Sequence, residues 1–186
     1  MPAFEIGVWN AWILMIWLLI PYFLEPLNII PKGREGGGKF ITEFNEIQKK
    51  VFFSLHITYL LMVIYSVFVP LKLGTVWFYT GLPIYCLGLV LYTMVFVSFA
   101  TTPVDKLVTK GIYRYSRNPM QISAFLLLLG IGIATANWIF LLLCILYTIL
   151  PLLWLDAEER YLLKFYGDTY REYMKRTPRW IGMPGS

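Results

Sequence analysis

Pro119-Met-Gln-Ile-Ser-Ala-Phe-Leu-Leu-Leu-Leu-Gly-Ile-Gly-Ile-Ala-Thr-Ala-Asn137 runs directly into Trp138-Ile-Phe-Leu-Leu-Leu-Cys-Ile-Leu-Tyr-Thr-Ile-Leu-Pro-Leu-Leu-Trp-Leu155. These are two apolar runs, 119–136 and 138–155, separated only by Ala136-Asn137. A helix that crosses a bilayer needs roughly 17–25 apolar residues, so each run is just long enough. The short break between them predicts a tight helical hairpin. Both open ends of that hairpin are polar: Arg117-Asn118 precedes it and Glu158-Glu159 follows it. The two clusters should therefore meet at one membrane surface. Ionisable groups beside hydrocarbon are costly and call for a function.

Outward from the hairpin, three more apolar runs lie at about 8–30, 50–70 and 76–99. The chain is 58% hydrophobic and only 15% charged, against about a quarter charged in soluble domains. The sequence predicts an all-α integral membrane protein. It would have one domain over 1–186, five transmembrane helices with a C-terminal hairpin, and an amphipathic cytoplasmic tail over 156–186. Pro21 and Pro26 should kink or shorten the first span. Of the sixteen Lys and Arg, only Lys72 falls outside the segments 31–50, 101–118 and 160–179. The positive-inside rule puts those three segments in the cytoplasm, with the N-terminus outside and the C-terminus inside. The net charge of +5, segregated in this way, suits anionic membrane lipids rather than nucleic acid. The first residues lack a basic n-region and the last lack a prenylation box, so the protein should span the bilayer and not be lipid-anchored. Cys86 and Cys144 sit inside apolar runs, with no disulfide or metal-ligand spacing. His56, alone in the second span, is expected to make an interhelical hydrogen bond.

The chemistry concentrates at the hairpin's polar end. Asn118 is a good N-cap and Pro119 is favoured at the first helical position. The unbonded N–H groups of that first turn, with Arg117 and Arg114 beside them, form an anion site. The plainer reading is a capped helix with snorkelling arginines. Glu158 and Glu159 are placed at the C-terminus of the fifth helix, where the helix dipole disfavours them. Their side chains diverge by about 100°, so one can face the hairpin and the other the tail. The plainer reading is a solvated pair balanced by Arg160 and Lys164. Together the two clusters complement a zwitterion, and Tyr113, Tyr115 and Trp154 could supply a flat wall for a ring. Leu163, Tyr166, Tyr170 and Tyr173 recur at helical spacing in the tail, with Thr169 and Glu172 as a capping box for a second short helix.

Val108-Thr109-Lys110-Gly111-Ile112-Tyr113, then Arg117-Asn118-Pro119, then Glu158-Glu159 follow in order along the chain. Beyond them stand Phe165-Tyr166-Gly167-Asp168-Thr169-Tyr170-Arg171-Glu172-Tyr173 and Pro178-Arg179. Across about residues 100–180 this series resembles the integral-membrane isoprenylcysteine carboxyl methyltransferase and phospholipid N-methyltransferase family. The resemblance implies S-adenosylmethionine as cofactor, bound at the cytoplasmic mouth. The positions carried over are Lys106, Leu107, Val108, Tyr113, Asn118, Pro119, Met120, Gln121 and Glu158. It also implies a membrane-embedded or lipidic acceptor, either a prenylcysteine-type carboxylate or a lipid amine, and no metal. Asn118 stands where the family often has His, Gln121 where it often has Tyr, and Trp154 where the eukaryotic prenylcysteine enzymes have Arg. Arg117 and Glu159 are assigned to the acceptor side, and Glu159 would be the base for an amine acceptor. Two other readings are open: an NADPH-dependent reductase of lipid or sterol double bonds, and a non-catalytic membrane scaffold.

Overall fold

The computed structural model describes residues 7–24, 39–103 and 105–182, which fold into seven α-helices and no strand. These are α1 (Trp12–Leu24), α2 (Glu46–Ser66), α3 (Val76–Thr101), α4 (Pro119–Ala134), α5 (Trp138–Ile149), α6 (Leu155–Tyr166) and α7 (Asp168–Arg176). Residues 25–30 of the first apolar run, Pro26 among them, and the basic stretch before Lys39 lie outside the described residues. Among the described helices, α2 and α3 are each long and apolar enough to cross a membrane. A third crossing is counted if α5 is taken with its continuation into α6 across a 44° bend. α4 is apolar but has only 16 residues, and α1 has 13.

α3 and α4 form the centre of the bundle. On α3 the buried positions are Gly81, Tyr85, Gly88, Tyr92, Val95 and Ser98, spaced by three and four so that one seam faces a neighbouring helix. Glycine lets the two backbones touch. A β-carbon on Gly88 would lie 2.6 Å from the Leu127 nitrogen, and one on Gly130 would lie 2.5 Å from the Tyr85 nitrogen. Small residues at such crossings are how helices associate where lipid removes the hydrophobic drive. Around this seam, Met15, Leu18, Met62, Leu127, Leu128, Ile131, Phe140 and Cys144 complete the core.

The expected hairpin is present. Asn137 caps α5 by accepting from the Phe140 N–H at 3.0 Å, and its side-chain amide donates to the Tyr65 hydroxyl at 3.0 Å. The C-terminal end of α4 is fastened to the α2–α3 connection, where the Lys72 N–H donates to the Ala134 carbonyl at 3.1 Å. Lys72 and residues 117–118 therefore lie at opposite ends of α4, which is about 24 Å long at 1.5 Å per residue.

The fifth run does not continue as one helix. After Ile149 the chain tightens into a short 3₁₀ turn, Leu150–Leu153, containing Pro151, and restarts as α6 at Leu155. Proline removes a helical donor and clashes with the preceding turn. This corrects the placement of the glutamates: Asp156 and Glu158 lie in the first turn of α6 and Glu159 follows them, where the helix dipole favours negative charge. α6 and α7 follow the apolar part of α5 in the chain and carry acidic residues in their first turns and basic residues in their last. Gly167 separates the two helices, and no Thr169 side-chain cap forms at α7. His56 is corrected too: it is exposed, and its Nδ1 pairs with the Phe52 carbonyl of its own helix at 2.8 Å.

Candidate active site

The loop before α4 is folded by its docking on α3. Gly111 has φ +62°, and a β-carbon there would come within 2.6 Å of the Ser98 hydroxyl. Glycine alone takes that conformation at that distance without strain. The loop then buries Val108 and Tyr113 against Val95, with Phe99 and Ile112 around them. The Tyr113 ring meets Phe99 edge-on at 5.6 Å. Of the cofactor-side residues expected from the sequence, Val108 and Tyr113 are thus packing residues, Leu107 and Gln121 are half-buried, and Lys106 and Met120 are exposed.

The hairpin's two polar ends do meet. Arg117 Nη1 lies 2.8 Å from Glu159 Oε1, and both side chains are almost wholly buried, at 11% and 12% exposure. Burying charges at this level demands partners, and Glu159 has a second one. Arg179 Nε donates to Oε1 at 3.1 Å and Arg179 Nη2 donates to Oε2 at 2.6 Å. The same Nη2 also reaches Asp156 Oδ1 at 2.7 Å. The Glu158 side chain makes no hydrogen bond or ion pair among the described residues. Its burial, and next the charge of Glu159, push its carboxyl from 4.5 up to about 7. The buried Tyr170 lies against the same charges, Glu159, Arg117 and Glu158, and its phenol is pushed up chiefly by burial.

Asn118 occupies the N-cap position, but its side chain makes no capping bond. Its amide donates instead to the Arg179 carbonyl at 3.1 Å. With Pro119 at the first position, the first-turn N–H groups of α4 are left without a side-chain cap, which preserves the anion site the sequence suggests. The chain after α7 is laid across residues 113–118 as a strap. The Arg117 N–H donates to the Pro178 carbonyl at 3.0 Å, and the Gly182 N–H donates to the Tyr115 carbonyl at 3.1 Å. Beneath it, the Tyr173 hydroxyl donates to the Tyr113 carbonyl at 2.7 Å. Tyr173→Phe is expected to lower stability by about 1–2 kcal/mol, since a buried carbonyl loses its donor; detergent-induced unfolding followed by circular dichroism would measure this.

The aromatic wall expected from Tyr113, Tyr115 and Trp154 does not assemble. Tyr115 is exposed, and Trp154 is buried against Phe52 and Phe44, at centroid distances of 5.6 and 5.9 Å. Sequence reading missed Arg179 and Tyr170 as members of this cluster. Tyr170 carried a signal, the helical spacing of aromatic residues in the tail, whereas Arg179 stood only in the Pro178-Arg179 pair of the resemblance, with no role attached to it. No group of three or more His, Cys, Asp or Glu among the described residues is placed to hold a metal ion.

Comparison with known proteins bears on this same region. Residues 79–169 match the phospholipid methyltransferase family. A segment of 81 residues, 40% of the chain, is 37% identical to the protein-S-isoprenylcysteine O-methyltransferase of Schizosaccharomyces pombe, covering 32% of that protein. A segment of 90 residues, 42% of the chain, is 33% identical to the protein of the same name from Dictyostelium discoideum, covering 33% of it. The matching segments thus span about a third of the length of these relatives.

Proposed function

We propose, from the match of residues 79–169 to the phospholipid methyltransferase family, that this chain is a membrane methyltransferase using S-adenosylmethionine on a lipidic acceptor. The observation that carries this reading is the meeting of Arg117 with Glu159 next to the uncapped start of α4, with Arg117, Glu159 and Glu158 all near enough to act on Tyr170. We read the chain as one membrane domain of five spans, with its N-terminus outside and this mouth at the cytoplasmic face. A water-soluble donor would then enter from the cytoplasm and the acceptor sideways from the bilayer.

The residues present fit such a donor. Glu158 has a free carboxylate for an α-ammonium, and the first turn of α4, at Met120 and Gln121, offers N–H groups to an α-carboxylate. Lys106, Leu107 and Val108 lie in the adjoining loop, while Tyr113, Asn118 and Pro119 shape that edge of the mouth. The donor supplies an electrophilic methyl group on a cationic sulfur. The protein's part is to hold the acceptor in line with it and to exclude water, and positioning of this kind is worth roughly 7–11 kcal/mol. Arg117 orients the acceptor, held in turn by Glu159.

The geometry favours a carboxylate over an amine as the acceptor. A carboxylate is already ionised near neutral pH and needs no base. An amine must lose a proton, and Glu159, the base expected from the sequence, has both oxygens engaged by guanidinium groups. With Trp154 locked in its aromatic cluster, Arg117 is the guanidinium at the mouth that can meet a carboxylate.

Incubation with labelled S-adenosylmethionine and either a prenylated cysteine or phosphatidylethanolamine tests this reading. An alkali-labile methyl ester on the prenylated cysteine is expected. Alkali-stable label on the amine lipid would reverse the choice of acceptor. Failure to label either acceptor would count against the function.

Glu158 adds a pH signature. With its carboxyl near 7, only the ionised form can pair with an ammonium. Affinity for S-adenosylhomocysteine should therefore rise about tenfold between pH 6 and pH 8, following the ionised fraction. Glu158→Gln should flatten the profile. The same shift works against the free protein: because the folded value lies above the ordinary 4.5, stability falls as pH rises from about 4.5 through 7.

A further inference from the structure

The side chain of Arg179 and its backbone do separate things. The backbone seats the strap: its carbonyl accepts from the Asn118 amide at 3.1 Å, and the neighbouring Pro178 carbonyl accepts from the Arg117 N–H at 3.0 Å. Neither bond needs the guanidinium. The guanidinium reaches back to α6, where it spans both oxygens of Glu159 and is steadied from outside by Asp156.

Arg117 is left in an unusual state by this arrangement. Its Nη1 is close to Glu159 Oε1, yet Nη1 and Nε are both buried and without an aligned hydrogen bond among the described residues. Arginine and carboxylate ordinarily meet as a fork, with two parallel N–H···O bonds. Glu159 presents its fork to Arg179 instead. A buried guanidinium with unengaged donors is costly, and it is also poised to accept an anionic group that arrives from outside.

We propose that Arg179 is a positioning residue: by taking the fork of Glu159 it prevents that carboxylate from closing onto Arg117, and so keeps the donors of Arg117 available to the anionic group of the acceptor. The proposal rests on the reading of this mouth as the methyl-transfer site. Without the Arg179 guanidinium, Glu159 rotates into a bidentate pair with Arg117, and the acceptor has to compete with it.

The test is a cycle of Arg179→Gln, Arg179→Lys, Glu159→Gln and the Arg179→Gln/Glu159→Gln double variant in the full chain in detergent micelles. The first readout is the side-chain Nε–H resonance of Arg117 in arginine-labelled protein, assigned by its loss in Arg117→Lys. In Arg179→Gln its exchange with water should slow about tenfold as the new bidentate bond forms. The slowing should vanish in the double variant and be smaller in Arg179→Lys. The second readout is kinetic: Arg179→Gln should raise KM for a prenylated cysteine about tenfold with kcat little changed, and adding Glu159→Gln should reverse most of that rise, since the competing carboxylate is gone. An Arg117 resonance that is unchanged in Arg179→Gln, or losses that simply add in the double variant, would overturn the proposal. If the resonance responds as described but the wild-type protein transfers no methyl group, the positioning contact stands and the methyl-transfer reading fails.

Discussion

Glu159→Ala is expected to destabilise the protein by about 3–5 kcal/mol, the usual cost of removing one partner from a buried ion pair. The loss falls mainly on Arg117, which is 11% exposed and has no other carboxylate paired to it among the described salt bridges. Arg179 keeps Asp156 and reaches water, so it is less affected. Glu159→Gln should cost less, because the amide oxygen can still accept one bond. Replacing Arg117 and Glu159 together by Met should recover most of the loss, since a buried pair exchanged for apolar residues of similar volume is often neutral. Equilibrium unfolding by added dodecyl sulfate in mild detergent would measure all three. A loss below about 1 kcal/mol for Glu159→Ala would mean the pair is solvated as an ordinary surface bridge is.

The second large effect is expected far from the charges. Gly88→Leu should cost about 3 kcal/mol, at the top of the usual range for overpacking. The obstacle is backbone: the new β-carbon meets the Leu127 nitrogen at 2.6 Å and the Leu126 carbonyl carbon at 3.0 Å, which no rotamer relieves. The α3–α4 seam would have to open, and the start of α4 would move away from α6. Binding of S-adenosylhomocysteine should weaken together with stability, although no changed atom touches the mouth. Leu87→Ala, one residue away but exposed, should leave both close to wild type. Thermal melts with and without S-adenosylhomocysteine would separate the two variants.

How much of this was legible in the sequence follows from the range of the interactions. The α4–α5 hairpin was readable because its signal is local: Ala136-Asn137 interrupts apolar residues, and Asn137 caps the next helix. The convergence of Arg117 with Glu159 followed from that hairpin. The break at Pro151 carried the same signal as Pro21 and Pro26 but was passed over, because Leu150 to Leu155 is apolar throughout and one tightened turn leaves hydropathy unchanged. That miss placed the glutamates at the wrong kind of helix end. The strap was invisible for another reason: two of its bonds, from the Arg117 N–H to the Pro178 carbonyl and from the Gly182 N–H to the Tyr115 carbonyl, join backbone groups more than sixty residues apart, and no side-chain pattern encodes them. Val108 and Tyr113 fit the expected motif, but the Gly111–Ser98 contact turns them into the α3 packing. In the structure part of the motif is thus a device for setting the loop.

Calorimetric titration of the detergent-purified protein with S-adenosylhomocysteine tests most directly whether this mouth holds a nucleoside amino acid. Saturable binding at one site per chain is expected, weakened about tenfold or more in Glu158→Ala through loss of a charge-assisted contact. A folded protein that gives no binding heat, or one that binds equally well without the Glu158 carboxylate, would contradict the assignment.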